Sequence, residues 1–305
     1  MQGDLGGGEI YTRFLTQALT RLGWDTVLIV SRQARFWNGF MPEGVQYRQA
    51  HDPRSLLAAL PPAGDLIITH SALPEEMAPD VAARNPLCGF LHMPLYERPA
   101  RGFRHYRKLF AVSRHVRDSA IASGLHNVHA EPLYGIADLQ PRSGVQPIQA
   151  RSPYEWDRRK VRDRVLGLAE RLRWLRGAGS PYRREAPLHL GIVSRLTPIK
   201  QFPAMFSILA PVLAKHRDIR LDIFGAGGYA SVRDMQRALR PAAEQVRWWG
   251  SQSDVAAVYR QLDYVLSGLP EKEALGLNLI EAQLAGTPVL AVDRSEEHTS
   301  ELQSL

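Results

Sequence analysis

The sequence predicts an α/β protein built as two doubly wound, Rossmann-like domains facing across a cleft. Three observations predict it. Short apolar, β-branched runs alternate with helical patterns along most of the chain. The runs are nearly continuous in apolar residues, as strands of a parallel sheet covered on both faces must be. The alternation also happens twice, on either side of Ala137–Glu185, a segment poor in strand signal and rich in Pro, Gly and charge. The expected domains are residues 1–136 and 137–293, with 137–185 a linker carrying a basic helical insertion.

The elements follow in order. A first helix over Glu9–Leu22 sets Ile10, Phe14, Ala18 and Leu22 on one face, and Gly23 suits a left-handed C-terminal stop. Expected strands in the first half are Thr26–Val30, Leu66–Thr69, Leu87–Leu91, Leu109–Val112 and Val128–Glu131, with a helix over Arg114–Ser123 ended by Gly124. The second half offers strands at Leu188–Val193, Arg220–Phe224, Val246–Trp249, Tyr264–Leu266 and Val289–Val292. Helices over Phe202–His216, Ser231–Ala243, Asp254–Gln261 and Gly276–Ala285 separate them. The insertion reads as a helix over Pro153–Arg176, with Trp156, Val161, Val165, Leu168, Leu172 and Leu175 near one side and eight basic residues crowding the remainder.

Composition narrows the function classes. At 305 residues the chain can bury two cores, and no apolar run approaches the roughly 20 residues that cross a bilayer. One cysteine, Cys88, excludes an internal disulfide and fits a reducing cytoplasm; in the run Leu87-Cys-Gly-Phe-Leu91 it reads as a small core residue. A net charge of +7 favours anionic partners, among which nucleic acid, a nucleotide-sugar and an acidic membrane surface all qualify. The stretch from Arg294 to Ser304 reads like a translated sequencing-adapter oligonucleotide, so residues 294–305 are expected to be a non-native tail and the chain a fragment.

Open α/β sheets gather ligands at the carboxyl ends of their strands, so the strand-exit loops carry the chemistry. Gly6-Gly7-Gly8-Glu9 opens the first helix, where glycines let backbone approach a phosphate and free N–H groups receive it. Ser194-Arg195-Leu-Thr-Pro-Ile-Lys200 places two cations beside a proline-stiffened turn, suited to a diphosphate or to plain surface charge. Phe224-Gly225-Ala-Gly227-Gly228 imitates a dinucleotide fingerprint, but the acid expected after the next strand is missing, so NAD is disfavoured. Glu273 then precedes the helix near Gly276, and Glu281 lies inside it. A loop acid can bind sugar hydroxyls while the amides of Leu277 and Asn278 receive phosphate.

Taken together, these loops resemble the retaining GT-B glycosyltransferases of the type called family 4 or group 1. The resemblance runs from Gly6 to Val292. It is most specific at Glu273–Glu281, the family's pair of acids with seven residues between them, followed by Ala285-Gly-Thr-Pro-Val-Leu-Ala291. It implies that Arg195 and Lys200 bind the diphosphate, that Gly7 and Gly8 form the first-domain glycine loop, and that His92, at a strand exit, is an active-site histidine beside the sugar. Gly225 would touch the nucleotide, Glu273 the sugar hydroxyls and Glu281 the ribose. Ala274, Ser194, Gln201 and Tyr134 depart from the family's usual Gly, Gly, Gly and Asn, which bears on donor preference. The family's first strand and its C-terminal returning helix are absent from the sequence as written.

The implied reaction moves a sugar from a nucleoside diphosphate-sugar to a lipid, glycan or small-molecule hydroxyl with retention. Paired cations would stabilise the leaving group, so no metal or other cofactor is expected, and the chain holds no Asp-x-Asp pair. The rival enzyme readings are a phosphorylase or a nucleotide-sugar epimerase on the same architecture. The non-enzymatic rival is a nucleic-acid or membrane-binding module driven by the basic helix. Nucleic acid is disfavoured, because the arginines lack the interleaved aromatics of a base-stacking surface. A cytoplasmic protein is expected, its basic helix either packed on its own domain with solvated arginines or lying on an anionic inner membrane face.

Overall fold

The computed structural model describes residues 6–31, 37, 40–96, 100–137, 139, 147–157, 159–175, 180–267 and 274–291. The chain divides into two compact units, Met1–Ile136 and Ala137–Leu305. Glu273, Val292 and the expected tail 294–305 lie outside the described residues.

The first unit begins with α1 (Gly7–Arg21), capped at Gly6, whose N–H donates to the Glu9 carboxylate at 2.9 Å. Its buried side is Tyr11, Thr12 and Thr16, whereas Leu22 is 75% exposed, so the expected apolar face is turned. The threonines tolerate burial because each hydroxyl donates back along the helix: Thr12 to the Gly8 carbonyl at 2.8 Å and Thr16 to that of Thr12 at 2.9 Å. Strands β1 (Val27–Ser31) and β2 (Gln46–Ala50) pair in parallel, and α2 (Pro53–Ala59) follows, capped by Asp52. Next come β3 (Ile67–Thr69), α3 (Ala78–Arg84), β4 (Leu87–Leu91), β5 (Lys108–Ala111) and α4 (Arg114–Ala122). The order β3-β4-β5 is parallel throughout, and β4 is buried along its whole length. The expected strand over Val128–Glu131 reduces to one bridge between Val128 and Leu109.

The second unit opens with the insertion, and here the structure corrects the expectation. Residues 153–157 are not helical; α5 spans Val161–Leu175. The helix docks through its polar side. Asp163 is 3% exposed, Gly167 lies against the Trp156 ring, and Glu170 accepts from Trp156 Nε1 at 2.6 Å and Ser152 Oγ at 2.7 Å. Arg162 sits 4.5 Å over the Tyr229 ring, which stacks with Tyr154 and Trp156. The apolar stripe therefore faces outward: Val161, Val165, Leu168 and Leu172 are 66, 62, 61 and 53% exposed.

A five-stranded parallel sheet follows, made of β6 (Leu188–Val193), β7 (Ile219–Phe224), β8 (Val246–Gly250), β9 (Tyr264–Ser267) and β10 (Val289–Ala291). Its helices are α6 (Phe202–Leu213), α7 (Tyr229–Ala238), α8 (Val255–Tyr259) and α9 (Leu277–Leu284). The expected helix over Ser231–Ala243 stops early because Pro241 stands in its path, and a 3₁₀ turn over Arg240–Gln245 replaces its end. On one side of the sheet Ile192, Leu221 and Ile223 pack with Phe206, Leu213 and Met235. A second cluster joins Phe224, Trp249, Tyr259, Val265 and Leu279. Between them, Asp222 is 1% exposed and fully engaged: Trp249 Nε1 donates to Oδ1 at 2.7 Å, while Tyr182 OH and His189 Nδ1 meet Oδ2 at 3.1 and 2.6 Å.

The strand order β10-β9-β6-β7-β8 has a consequence for function. The chain leaves β6 to build β7 and β8 on one side, then returns to build β9 and β10 on the other. The crossover directions diverge between β6 and β9, and loops leaving such a point part to form a crevice at the carboxyl edge.

Candidate active site

The loops that flank this point carry most of the residues singled out by the sequence. After β6, the chain runs through Ser194 and Arg195 into a 3₁₀ turn over Pro198–Lys200, and Gln201 takes the left-handed conformation (φ 49°) to start α6. Proline fixes the turn and Gln201 reverses the chain, so Arg195, which is exposed, and Lys200 stay near the mouth of β6. The neighbouring glycines hold that path. Ser194 N–H donates to the Phe224 carbonyl at 3.0 Å and Leu196 N–H to that of Ala226 at 2.9 Å. A Cβ on Gly225 (φ 135°) would lie 1.9 Å from the Ser194 carbonyl oxygen, and one on Gly227 2.0 Å from that of Leu196. This gives Gly225 a packing role: it lets the β7 exit press against the Arg195 loop.

On the other side, α9 begins at Gly276, which adopts φ 71° as a left-handed N-cap. Leu277 and Asn278 form the first turn, where backbone N–H groups have no partner within the helix and the dipole is positive. One turn on, Glu281 Oε2 accepts from Tyr259 OH at 2.9 Å. Burial raises the Glu281 carboxyl above the usual range, and the Tyr259 hydroxyl opposes that rise. Tyr259 is itself buried and pinned by Thr287, whose hydroxyl donates to the Tyr259 carbonyl at 2.7 Å. Thr287 thus explains the Gly-Thr-Pro segment: it ties the end of α9 to the residue that orients Glu281. Arg195, Lys200 and Gly225 follow the ends of β6 and β7, while Leu277 and Asn278 open the helix after β9, with Glu281 one turn further along it. Glu273 is outside the described residues.

In the first unit Gly7 and Gly8 are the first two residues of α1, and a Cβ on Gly8 would meet nothing within 4 Å, so the space before it is open. His92 leaves β4 and lies under the Tyr11 ring, 5.1 Å between centroids in an edge-on contact. Sequence reasoning missed its partner. His70 leaves β3, the neighbouring strand, and its Nδ1 is 2.7 Å from His92 Nε2 and 3.2 Å from Thr12 Oγ1. Burial, with His92 beside it, pushes His70 down to about 3, and burial pushes His92 down to about 4. The signal was available, since His70 follows an expected strand as His92 does. Tyr259, inside a helix and apolar in its surroundings, gave none.

Known proteins share this fold. Residues 187–302 match the family model described as glycosyl transferases group 1. No curated protein sequence matches the chain. Among solved structures, Anabaena HepE, described in complex with UDP and glucose, is similar at a TM-score of 0.64 and 17% identity, over 96% of this chain and 79% of that one. A glycosyltransferase from Rickettsia africae gives 0.62 and 14%, over 94% and 76%. The lipopolysaccharide outer core galactosyltransferase WaaB gives 0.59 and 15%, over 98% and 80%. The match to the family model spans the whole β6–β10 sheet, with both loops that bracket its divergence point, and the structural likeness covers nearly the entire chain. Residues 187–302 thus match the group 1 glycosyltransferase family, in a chain whose fold is that of the GT-B glycosyltransferases.

Proposed function

We propose that the protein transfers a sugar from a nucleoside diphosphate-sugar to a glycan, lipid or small-molecule hydroxyl, with retention and without a metal. One observation supports the reading: the loop carrying Arg195 and Lys200 follows β6, and the helix that opens at Leu277 follows β9, so the two flank the divergence point of one parallel sheet. Arg195 and Lys200 would hold the diphosphate and stabilise it as it departs, a service preorganised charge supplies without a metal ion. The Leu277 and Asn278 amides would bind phosphate oxygens, and Glu281, held by Tyr259, would accept from the ribose hydroxyls. Glu273 is assigned the sugar hydroxyls, with His92 a further sugar contact and Gly7 and Gly8 giving backbone room. HepE, described with UDP and with UDP-glucose, supports a UDP-type donor as the first to test.

The test is turnover with a panel of nucleotide-sugars, with and without a chelator, reading the anomeric configuration of the product. Arg195→Ala and Glu273→Gln are expected to lower kcat/KM by about a hundredfold or more, the scale of losing one preorganised charge contact. Undiminished transfer in both variants sinks the assignment.

The outward stripe of α5 favours one further element of this reading, peripheral contact with an anionic membrane. Val161, Val165, Leu168 and Leu172 form an exposed apolar line, with Arg164 exposed on the same helix and Lys160 exposed just before it. Apolar residues can enter the acyl boundary while basic ones meet lipid phosphates. No helix among the described residues is long and apolar enough to cross a membrane. Sedimentation with vesicles should show binding when phosphatidylglycerol is present and loss of it in Leu168→Ser. Equal binding to neutral vesicles, or none, removes membrane contact from the reading.

A further inference from the structure

We infer that His70 is a positioning residue that fixes the tautomer of His92, holding Nε2 as an acceptor so that Nδ1 carries the proton. The hydrogen-bond distances favour one assignment, because the Thr12 hydroxyl lies closer to the Gly8 carbonyl than to His70. Thr12 Oγ1 spends its single proton on the Gly8 carbonyl, 2.8 Å away within α1. Toward His70 Nδ1, 3.2 Å away, Thr12 can therefore present only a lone pair. If His70 Nδ1 were unprotonated, two lone pairs would face each other there. With the hydroxyl proton on Gly8, His70 carries its proton on Nδ1, shared between Thr12 Oγ1 and His92 Nε2 and leaning to the latter at 2.7 Å. His92 Nε2 accepts, so a neutral His92 has its proton on Nδ1.

The surroundings keep this arrangement in place. The two imidazoles are near parallel, 5.0 Å between centroids and 16° apart, and Phe90 stacks on His70 at 5.6 Å and 12°. Tyr11 closes over His92 edge-on, and its own hydroxyl is tied to the Leu133 carbonyl at 2.7 Å. Both rings stay neutral near pH 7, which leaves a tautomer to be set rather than a charge. The chain of bonds starts at the glycine turn: Gly8 carbonyl, Thr12 hydroxyl, His70, His92. A displacement of the first turn of α1 would reach His92 through three hydrogen bonds.

The consequence for activity rests on the reading of His92 as a sugar contact. With Nδ1 protonated, His92 offers a fixed N–H donor to a hydroxyl oxygen of the donor sugar. The opposite tautomer would offer a lone pair and demand that the sugar donate. Neutral imidazole in water prefers the proton on Nε2, so the protein holds His92 against that preference.

The experiment is a two-bond ¹H–¹⁵N spectrum of the full chain labelled at histidine, at about pH 7, with His92 assigned by its loss in His92→Gln. Wild type is expected to show a protonated Nδ1 and an unprotonated, pyridine-like Nε2 for His92. His70→Phe keeps the stacked ring but removes the donor, and His92 should change to the Nε2-protonated form. His70→Asn places an amide N–H near the former Nδ1 and should keep the wild-type pattern, showing that folding is intact. In turnover assays, His70→Phe should lower kcat/KM by about three- to tenfold, the scale of one neutral hydrogen bond, and His70→Asn should restore most of it. A wild-type His92 protonated on Nε2, or a spectrum unchanged by His70→Phe, overturns the proposal. A tautomer change with wild-type turnover in both His70→Phe and His92→Gln upholds the positioning and refutes the sugar contact.

Discussion

Glu281 shows what a single residue gains from its surroundings. A carboxylate on the first turns of a short helix could be a solvated surface charge. Here burial raises its carboxyl, and only the Tyr259 hydroxyl works against that rise. Tyr259→Phe removes the opposing donor and nothing else, because the ring stays in its buried site and the Thr287 bond goes to backbone. The carboxyl should then rise further, and its ionised form should be lost at a higher pH. Titration of nucleoside diphosphate affinity against pH should show the acid limb moved upward in Tyr259→Phe. At about pH 7.5 the affinity should fall about three- to tenfold, as expected for one lost hydrogen bond. An unmoved acid limb would mean that Glu281 does not meet the nucleotide.

Among the elements, α5 departs furthest from its amphipathic reading. Hydrophobic periodicity correctly found a helix with an apolar side, but placed that side without regard to what the body of the unit offers. The body offers an aromatic stack, Tyr154, Trp156 and Tyr229, with an indole N–H to satisfy. Glu170 and the small Gly167 suit that surface better than leucines do. Two substitutions one residue apart should separate the faces. In Gly167→Val a branched side chain meets the Trp156 ring, since a Cβ alone would already lie 3.0 Å from it, and the loss should be about 1–3 kcal/mol. In Leu168→Ser an exposed side chain is exchanged, and stability should stay within about 0.5 kcal/mol. Urea denaturation of both reads the contrast directly; equal losses would place Leu168 in the core. The same logic explains α1, whose buried threonines look polar in sequence but satisfy their hydroxyls within the helix. The polar, largely exposed β2 carries no apolar run, and α2 and α3, of seven residues each, are too short for a helical period to show.

At the scale of the whole chain, the legible part of the fold was its buried part. Leu188–Val193 and Leu87–Leu91 match the observed strands residue for residue, because a strand covered on both faces is apolar nearly throughout. The candidate site was legible where backbone chemistry forces residue type, as at Gly225 and Gly276, and opaque where one side chain orients another, as with His70 and Tyr259. Those hidden partners also shape how the molecule responds to acid. Free histidine titrates near 6.5, yet in the fold His92 resists protonation down to about 4 and His70 down to about 3. Between these limits the unfolded chain binds protons that the folded chain refuses, so stability must fall as pH falls from about 6.5. Above that value both rings are neutral in either state and the pair contributes no slope. Glu281 works in the opposite sense, its raised carboxyl favouring the protonated fold at low pH. Comparing wild type with the double variant His70→Asn, His92→Asn cancels that background. Urea midpoints between pH 7 and about 5, above the range of ordinary carboxylates, should fall more steeply in wild type than in the double variant. Parallel slopes would show that the two imidazoles are open to water and already protonated in the folded protein.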